Sequence, residues 1–292
     1  MKGVAGAERY VKNVLANPEL YPLTVRQACE RYNRDKLRKE FYLDTSAANY
    51  VVGVVESMPH TKGELQGKPL KLEDWQCFFY INIFGWKWTA TKLRRFRYAF
   101  LFVPRKNGKT AMAIPAALLM FAVDQEKGSE VYLGAVGQQH AKRLLFKPAK
   151  FICDKYTEFR DKYNIQVNAT TIVRTDNDSV LTTVIKSPSD GDSPHAAIID
   201  EYHSHDSSDQ FDTFNTGMGA RRQPLLLIIT TAGTNLASPC KDEFDDCLQV
   251  LNQSYDSEDK FALVYTPDEG DEWDSIATLK KVNPNMGVSV SE

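Results

Sequence analysis

Long apolar runs are missing from this sequence. No stretch reaches the roughly 18 residues that a membrane span needs. The longest candidate, Ala111 to Val123, is shorter and is interrupted by Pro115. The first ten residues, MKGVAGAERY, lack the apolar core of a secretion signal. Cysteine is sparse: five in 292 residues, without a Cys-x-x-Cys pair. Cys240 and Cys247 have the wrong spacing for a zinc ribbon, so reduced thiols in a cytosolic compartment are expected. There is no internal repeat and no low-complexity tract. Hydrophobic residues make up 42% and charged residues 25%, which excludes wholesale disorder and a coiled-coil rod. What remains is the length and texture of one large α/β domain, or of one domain with an appendage.

The net charge of −2 hides an asymmetry. Residues 1–110 carry 20 Lys and Arg against 10 Asp and Glu, and the remainder carries 16 against 28. Lys87 to Lys109 holds eight basic residues and no acidic one. That stretch is either a contact for a polyanion or a solvated basic face.

Residues 1–70 read as a helical N-terminal portion. Thr24 is placed to cap a helix through Val25, Ala28, Cys29, Tyr32 and Leu37, and Ala47–Ser57 is a second helix. A Gly- and Pro-containing loop follows, then the aromatic stretch LEDWQCFFYINIFGWKW, which predicts a buried helix. From about residue 96 short apolar runs alternate with helical segments: FRYAFLFV, EVYLGAV, HAAIID and PLLLIITTA are the strands. VNATTIVRTDNDSVLTTVIKS is rich in β-formers. Near-continuous apolar strands alternating with helices predict a mostly parallel sheet covered on both faces. The expected domains are 1–70, a core over 71–255, and an acidic, irregular segment over 256–292 that contains the strand FALVY and leads to a further domain.

Four motifs carry chemistry. In Val103-Pro-Arg-Lys-Asn-Gly-Lys-Thr110 a strand enters a loop that opens a helix. Backbone N–H groups at such a junction point at an anion. Arg105, Lys106, Asn107 and Gly108 form the loop; Lys109 reaches the β- and γ-phosphates of ATP, and Thr110 offers a hydroxyl to Mg²⁺. The usual first glycine of this loop is replaced by Val103. The second motif, HAAIIDEYH, is an apolar strand ending in Asp200 and Glu201. Carboxyl ends of parallel strands face the ligand crevice, so Asp200 is expected to hold Mg²⁺ and Glu201 to polarise a water for attack on the γ-phosphate. In the third, Thr230 and Thr231 end a strand and can sense the γ-phosphate. In the fourth, LEDWQ, the amide of Gln76 matches the hydrogen-bonding edge of adenine, and Trp75 either stacks on the base or packs in the core. His203, His205 and Asp206 lack a third and fourth partner at metal-ligand spacing, so a polar loop is the favoured reading there.

LEDWQ, PRKNGKT, IIDE and TTAG stand in the order found in the large terminase subunits of tailed bacteriophages, and over nearly its whole length the chain resembles that family. The resemblance implies a P-loop NTPase of the additional-strand, RecA-like type. It implies an ATP-driven motor with Mg²⁺, threading double-stranded DNA into a procapsid through the portal protein. The partners implied are the small terminase subunit and further copies of the chain in a ring, a pentamer, in the host cell cytoplasm with no membrane involved. The ending NPNMGVSVSE is similar to the segment preceding the family's nuclease domain, so nuclease activity is not expected here. Arg105 is implied to act on phosphates or the next subunit. Related chains carry an Arg-Gly pair before the second motif where this one has Asp190-Gly191, so Arg143, Arg221 and Arg222 are the candidates for an arginine acting in trans. Lys87, Lys92, Arg94, Arg95 and Arg97 are candidates for gripping the DNA backbone. The competing readings are a helicase-like translocase, for whose second motor domain the length leaves no room, and a weakly hydrolysing portal adaptor, which would not need Glu201.

Overall fold

The computed structural model of the chain describes residues 3–185 and 191–290. The first elements are helices α1 (Gly3–Ala16) and α2 (Leu23–Asp35), strand β1 (Phe41–Leu43), helices α3 (Thr45–Ser57) and α4 (Asp74–Gly85), and strands β2 (Trp86–Trp88) and β3 (Tyr98–Phe102). Helix α5 (Lys109–Leu118), strand β4 (Glu130–Ala135), and helices α6 (Gln138–His140), α7 (Lys147–Lys155) and α8 (Thr157–Lys162) come next. Strands β5 (Ile165–Val167), β6 (Thr171–Arg174), β7 (Val180–Ile185) and β8 (Pro194–Asp200) precede helix α9 (Asp209–Gly217) and strand β9 (Leu225–Thr230). Helix α10 (Pro239–Leu251), strand β10 (Lys260–Val264) and helix α11 (Ile276–Val282) complete the order. Contacts divide the chain into a unit of Met1–Gly53, Leu72–Lys109 and Thr230–Glu292 and a unit of Val54–Lys71 and Thr110–Ile229, a division that differs from the segments expected from composition.

In the first unit β3 and β10 pair in parallel, Tyr98 opposite Lys260 through Phe102 opposite Val264. The strand FALVY, assigned from composition to the irregular tail, is therefore a sheet strand beside the one that feeds the loop. Helix α4 is apolar on every side and almost wholly buried, as such a helix must be. Phe78 lies against Tyr10, Tyr32 and Phe261. The expected long helix stops at Gly85, because Trp86-Lys87-Trp88 pairs antiparallel with β1. Cross-strand packing of Phe41 on Trp88, ring centroids 5.0 Å apart, outweighs a further helical turn. Thr24 is not a cap: α2 begins at Leu23, behind Pro22, and the Thr24 hydroxyl donates to the carbonyl of Val264 at 2.6 Å.

The basic run is also corrected. Arg95 is fully buried, donating to Asp35 at 2.7 Å and to Glu258 at 2.8 Å, with its guanidinium 3.7 Å from the Phe41 ring centroid. Arg94 is buried as well, and Lys87 pairs with Asp44. Burial together with neighbouring Arg95 lowers the pKa of Arg31 to about 10. A run that reads as a solvated basic face thus buries two arginines, Arg95 in an interior ion pair, out of reach of DNA.

In the second unit β9, β8, β4 and β7 are parallel neighbours in that order, and β6 and β5 extend the sheet antiparallel. Every residue of β8 and β9 is buried, which explains their unbroken apolar sequences. The fold is α/β with a mostly parallel sheet, as expected. Among the described residues no helix is long and apolar enough to cross a membrane.

Candidate nucleotide site

Strand β3 runs into the loop Val103–Gly108, and α5 starts at Lys109. The Val103 amide donates to the carbonyl of Thr230 at the end of β9. Lys106 has φ 69° and Gly108 φ 80°. Gly108 is the position where a side chain would be strained by backbone alone, since its Cβ would meet nothing closer than 3.8 Å. Arg105 and Lys106 are exposed, whereas Lys109 is buried.

Asn107 points into the protein. Its side chain donates to Asn283 Oδ1 at 2.7 Å and accepts the backbone N–H of Asn285 at 3.0 Å. Asn285 donates to the Asn107 carbonyl at 3.1 Å, and the Ser289 hydroxyl donates to that of Lys106 at 2.7 Å. The segment Asn-Pro-Asn, assigned from sequence to a link toward a nuclease domain, is the clamp of this loop. Two asparagines flanking a proline were its only sequence signal.

Trp75 is 3% exposed and donates Nε1–H to Asn285 Oδ1 at 2.8 Å. It is a core residue tied to the clamp and has no open face for a base. Gln76 Oε1 accepts the Glu73 amide in a capping box at the start of α4. Thr230 is fully buried, its hydroxyl donating to the Thr231 carbonyl at 3.3 Å, and Thr231 is 6% exposed.

At the tip of β8 the Asp200 side chain is buried. Its Oδ2 accepts the Thr110 hydroxyl at 3.3 Å and lies 3.2 Å from His140 Nε2. Its Oδ1 is buried and has no hydrogen-bond partner among the described residues. A buried carboxylate oxygen left open next to a threonine hydroxyl suits a hard cation that takes oxygen ligands, so these residues fit Mg²⁺. Glu201 follows in the left-handed region, φ 54° and ψ 47°, its amide bonded to the carbonyl of Ile229. A 3₁₀ turn over Tyr202–Ser204 then brings His203 Nδ1 to 3.2 Å from Glu201 Oε2. Burial lowers the pKa of His205, which sits against the Asp200 backbone. A mainly apolar cavity of about 170 Å³ is lined by Thr110 together with residues including Leu70, Ala111, Ile114, Pro148 and Ile152.

Of the candidate trans arginines, Arg221 is engaged inside its own unit with Glu126 and the carbonyls of Gly128 and Ser193. Arg143 and Arg222 are exposed. Asp190 lies outside the described residues.

A strand–loop–helix with the GKT signature, and an acid pair ending a buried parallel strand, define the class: an α/β NTPase of the P-loop type. Residues 74–248 match the family described as Terminase large subunit, ATPase domain, and the chain belongs to that family. Over 121 residues, 41% of this chain and 27% of the other, it is 46% identical to Protein YmfN of Escherichia coli strain K12. The crystal structure of the bacteriophage HK97 large terminase matches 84% of this chain with a TM-score of 0.69 at 19% identity. That match takes in 49% of the HK97 chain, so the present chain spans about half its length.

Proposed function

We propose that this chain is the ATP-hydrolysing motor of a viral DNA-packaging terminase, driving double-stranded DNA through the portal into a procapsid. It works in the host cytoplasm as a ring of copies supplied with DNA by the small terminase subunit. The observation that carries the reading is Asp200: a buried carboxylate at a strand tip, one oxygen on Thr110 and the other open. Thr110 and Asp200 hold Mg²⁺, which supplies charge neutralisation on the phosphates. The loop amides and Lys109 bind the β- and γ-phosphates, Glu201 takes the proton of the attacking water, and Thr230 and Thr231 respond to loss of the γ-phosphate. Trp75 is packed in the core and Gln76 Oε1 accepts the Glu73 amide, so of the two it is the Gln76 amide N–H group that we assign to the adenine edge. An exposed arginine, Arg105, Arg143 or Arg222, completes the site of a neighbour.

ATP turnover with and without blunt duplexes of unrelated sequence, over a salt series, tests the reading. Stimulation independent of sequence and weakened by salt supports it. A duplex-independent rate, or stimulation by one sequence alone, contradicts it.

A further inference from the structure

The acid pair is not bare. Each carboxylate has an imidazole of its own, brought from a different element of the same unit. Strands β4 and β8 are parallel, with Gly134 opposite Ile199, so the chain leaving β4 emerges beside Asp200. Helix α6 begins directly after Gly137, and its third residue, His140, sets Nε2 3.2 Å from Asp200 Oδ2. His203 reaches Glu201 by another route. Glu201 adopts a left-handed conformation that is uncommon for a residue with a Cβ, and such strain persists where the surroundings fix it. The Ser204 amide then closes back on the Glu201 carbonyl. That turn folds His203, two residues on, against the carboxylate through Nδ1 at 3.2 Å. A carboxylate only accepts, so the ring nitrogen facing it carries the proton: Nε2–H in His140 and Nδ1–H in His203.

We propose that His140 and His203 are positioning residues with separate duties. His140, with Thr110, fixes Asp200 by one oxygen so that Oδ1 is presented to the metal. His203 fixes the Glu201 carboxylate at the place where it takes the proton of the attacking water. Both duties rest on the ATPase reading of the site. Losing a hydrogen-bonded partner of a ligand or a catalytic group costs roughly 10- to 100-fold in metal affinity or activity. The two histidines therefore separate in their effects: His140 acts on metal affinity, and His203 acts on kcat with KM unchanged.

The test uses the different nitrogens. An asparagine amide nitrogen overlays Nδ1 of histidine, and a glutamine amide nitrogen overlays Nε2. His203→Ala is expected to lower kcat about 10- to 100-fold and His203→Asn to restore most of it, while His203→Gln does not. His140→Ala is expected to weaken Mn²⁺ binding by about the same factor, followed by electron paramagnetic resonance with the non-hydrolysable analogue AMPPNP, and His140→Gln to restore it. His203→Ala is expected to leave Mn²⁺ affinity at the wild-type value. Thermal melts confirm that each variant is folded, and the amide variants carry the comparison if an alanine variant is not. Wild-type kcat in folded His203→Ala, or equal rates for His203→Asn and His203→Gln, overturns the role of His203. Mn²⁺ bound by His140→Gln as weakly as by His140→Ala overturns the role of His140, since it makes the ring a direct ligand. Failure of the site reading is distinct: there the wild type binds no Mn²⁺–AMPPNP, or Lys109→Ala turns over ATP normally.

Discussion

Replacing Asn285 by alanine removes the centre of the clamp on the loop Val103–Gly108. Asn285 is 4% exposed. Its side chain accepts the Trp75 indole N–H at 2.8 Å and donates to the Asn107 carbonyl at 3.1 Å and to Ser289 at 3.2 Å. The backbone bond from its own N–H to Asn107 Oδ1 survives the change. Two buried groups, the indole N–H and the carbonyl, lose their partners, and each such group costs about 1–3 kcal/mol. The expected loss is about 2–5 kcal/mol, which lowers the melting temperature by roughly 5–15 °C for a domain of this size. Calorimetry reads the shift. ATP affinity falls too, because a loop released from the clamp must be ordered on binding. Asn285→Asp keeps the acceptor for Trp75 but sets a carboxylate against the Asn107 carbonyl, so it is expected to recover little. A variant that melts with the wild type and binds ATP equally well refutes the clamp.

Three further outcomes follow from the interior charges and thiols. Asp35→Ala strands the fully buried Arg95 on Glu258 alone, and breaking such a pair costs about 3–5 kcal/mol. A denaturation midpoint that barely moves would show that the pair is not holding α2. For Glu258, burial pushes the pKa up, but Arg38 and Arg95 outweigh it, so the folded value lies below the ordinary 4.5. Its contribution to stability is therefore complete above pH 4.5 and is lost as pH falls through the folded value; Glu258→Gln should flatten the stability profile in that acid range, and an unchanged slope contradicts the assignment. All five cysteines are buried and outside any disulfide, and burial pushes Cys153 up to about 12 and Cys29 and Cys247 higher still. Native protein should resist an aromatic disulfide reagent at pH 8 and react on unfolding, whereas rapid native labelling would contradict the burial.

The strands were legible because a strand covered on both faces must be apolar throughout, and β8 and β9 are. The strand–loop–helix around Val103–Thr110 and the acids at the end of β8 were legible because each is one contiguous motif at a strand end. What escaped depends on neighbours far away in sequence. Asn285 meets Asn107 across 178 residues, and His140 meets Asp200 through the register of β4 on β8. No local pattern encodes either contact. Gln76 is ambiguous for the opposite reason. A glutamine three residues after Glu73 fits an adenine motif and a capping box equally well in sequence, and its Oε1 accepts the backbone amide of Glu73. Arg95 read as surface charge because its partner Asp35 lies 60 residues away and α2 supplies it only after folding.

ATP turnover by Glu201→Gln, with nucleotide affinity measured on the same protein, separates binding from hydrolysis at the acid pair. The change is nearly isosteric, removes the base and leaves Thr110, Lys109 and Asp200 in place. Wild-type affinity for ATP is expected, with turnover lower by roughly 10²- to 10⁴-fold. Undiminished turnover would show that Glu201 is not the base, and would contradict the account.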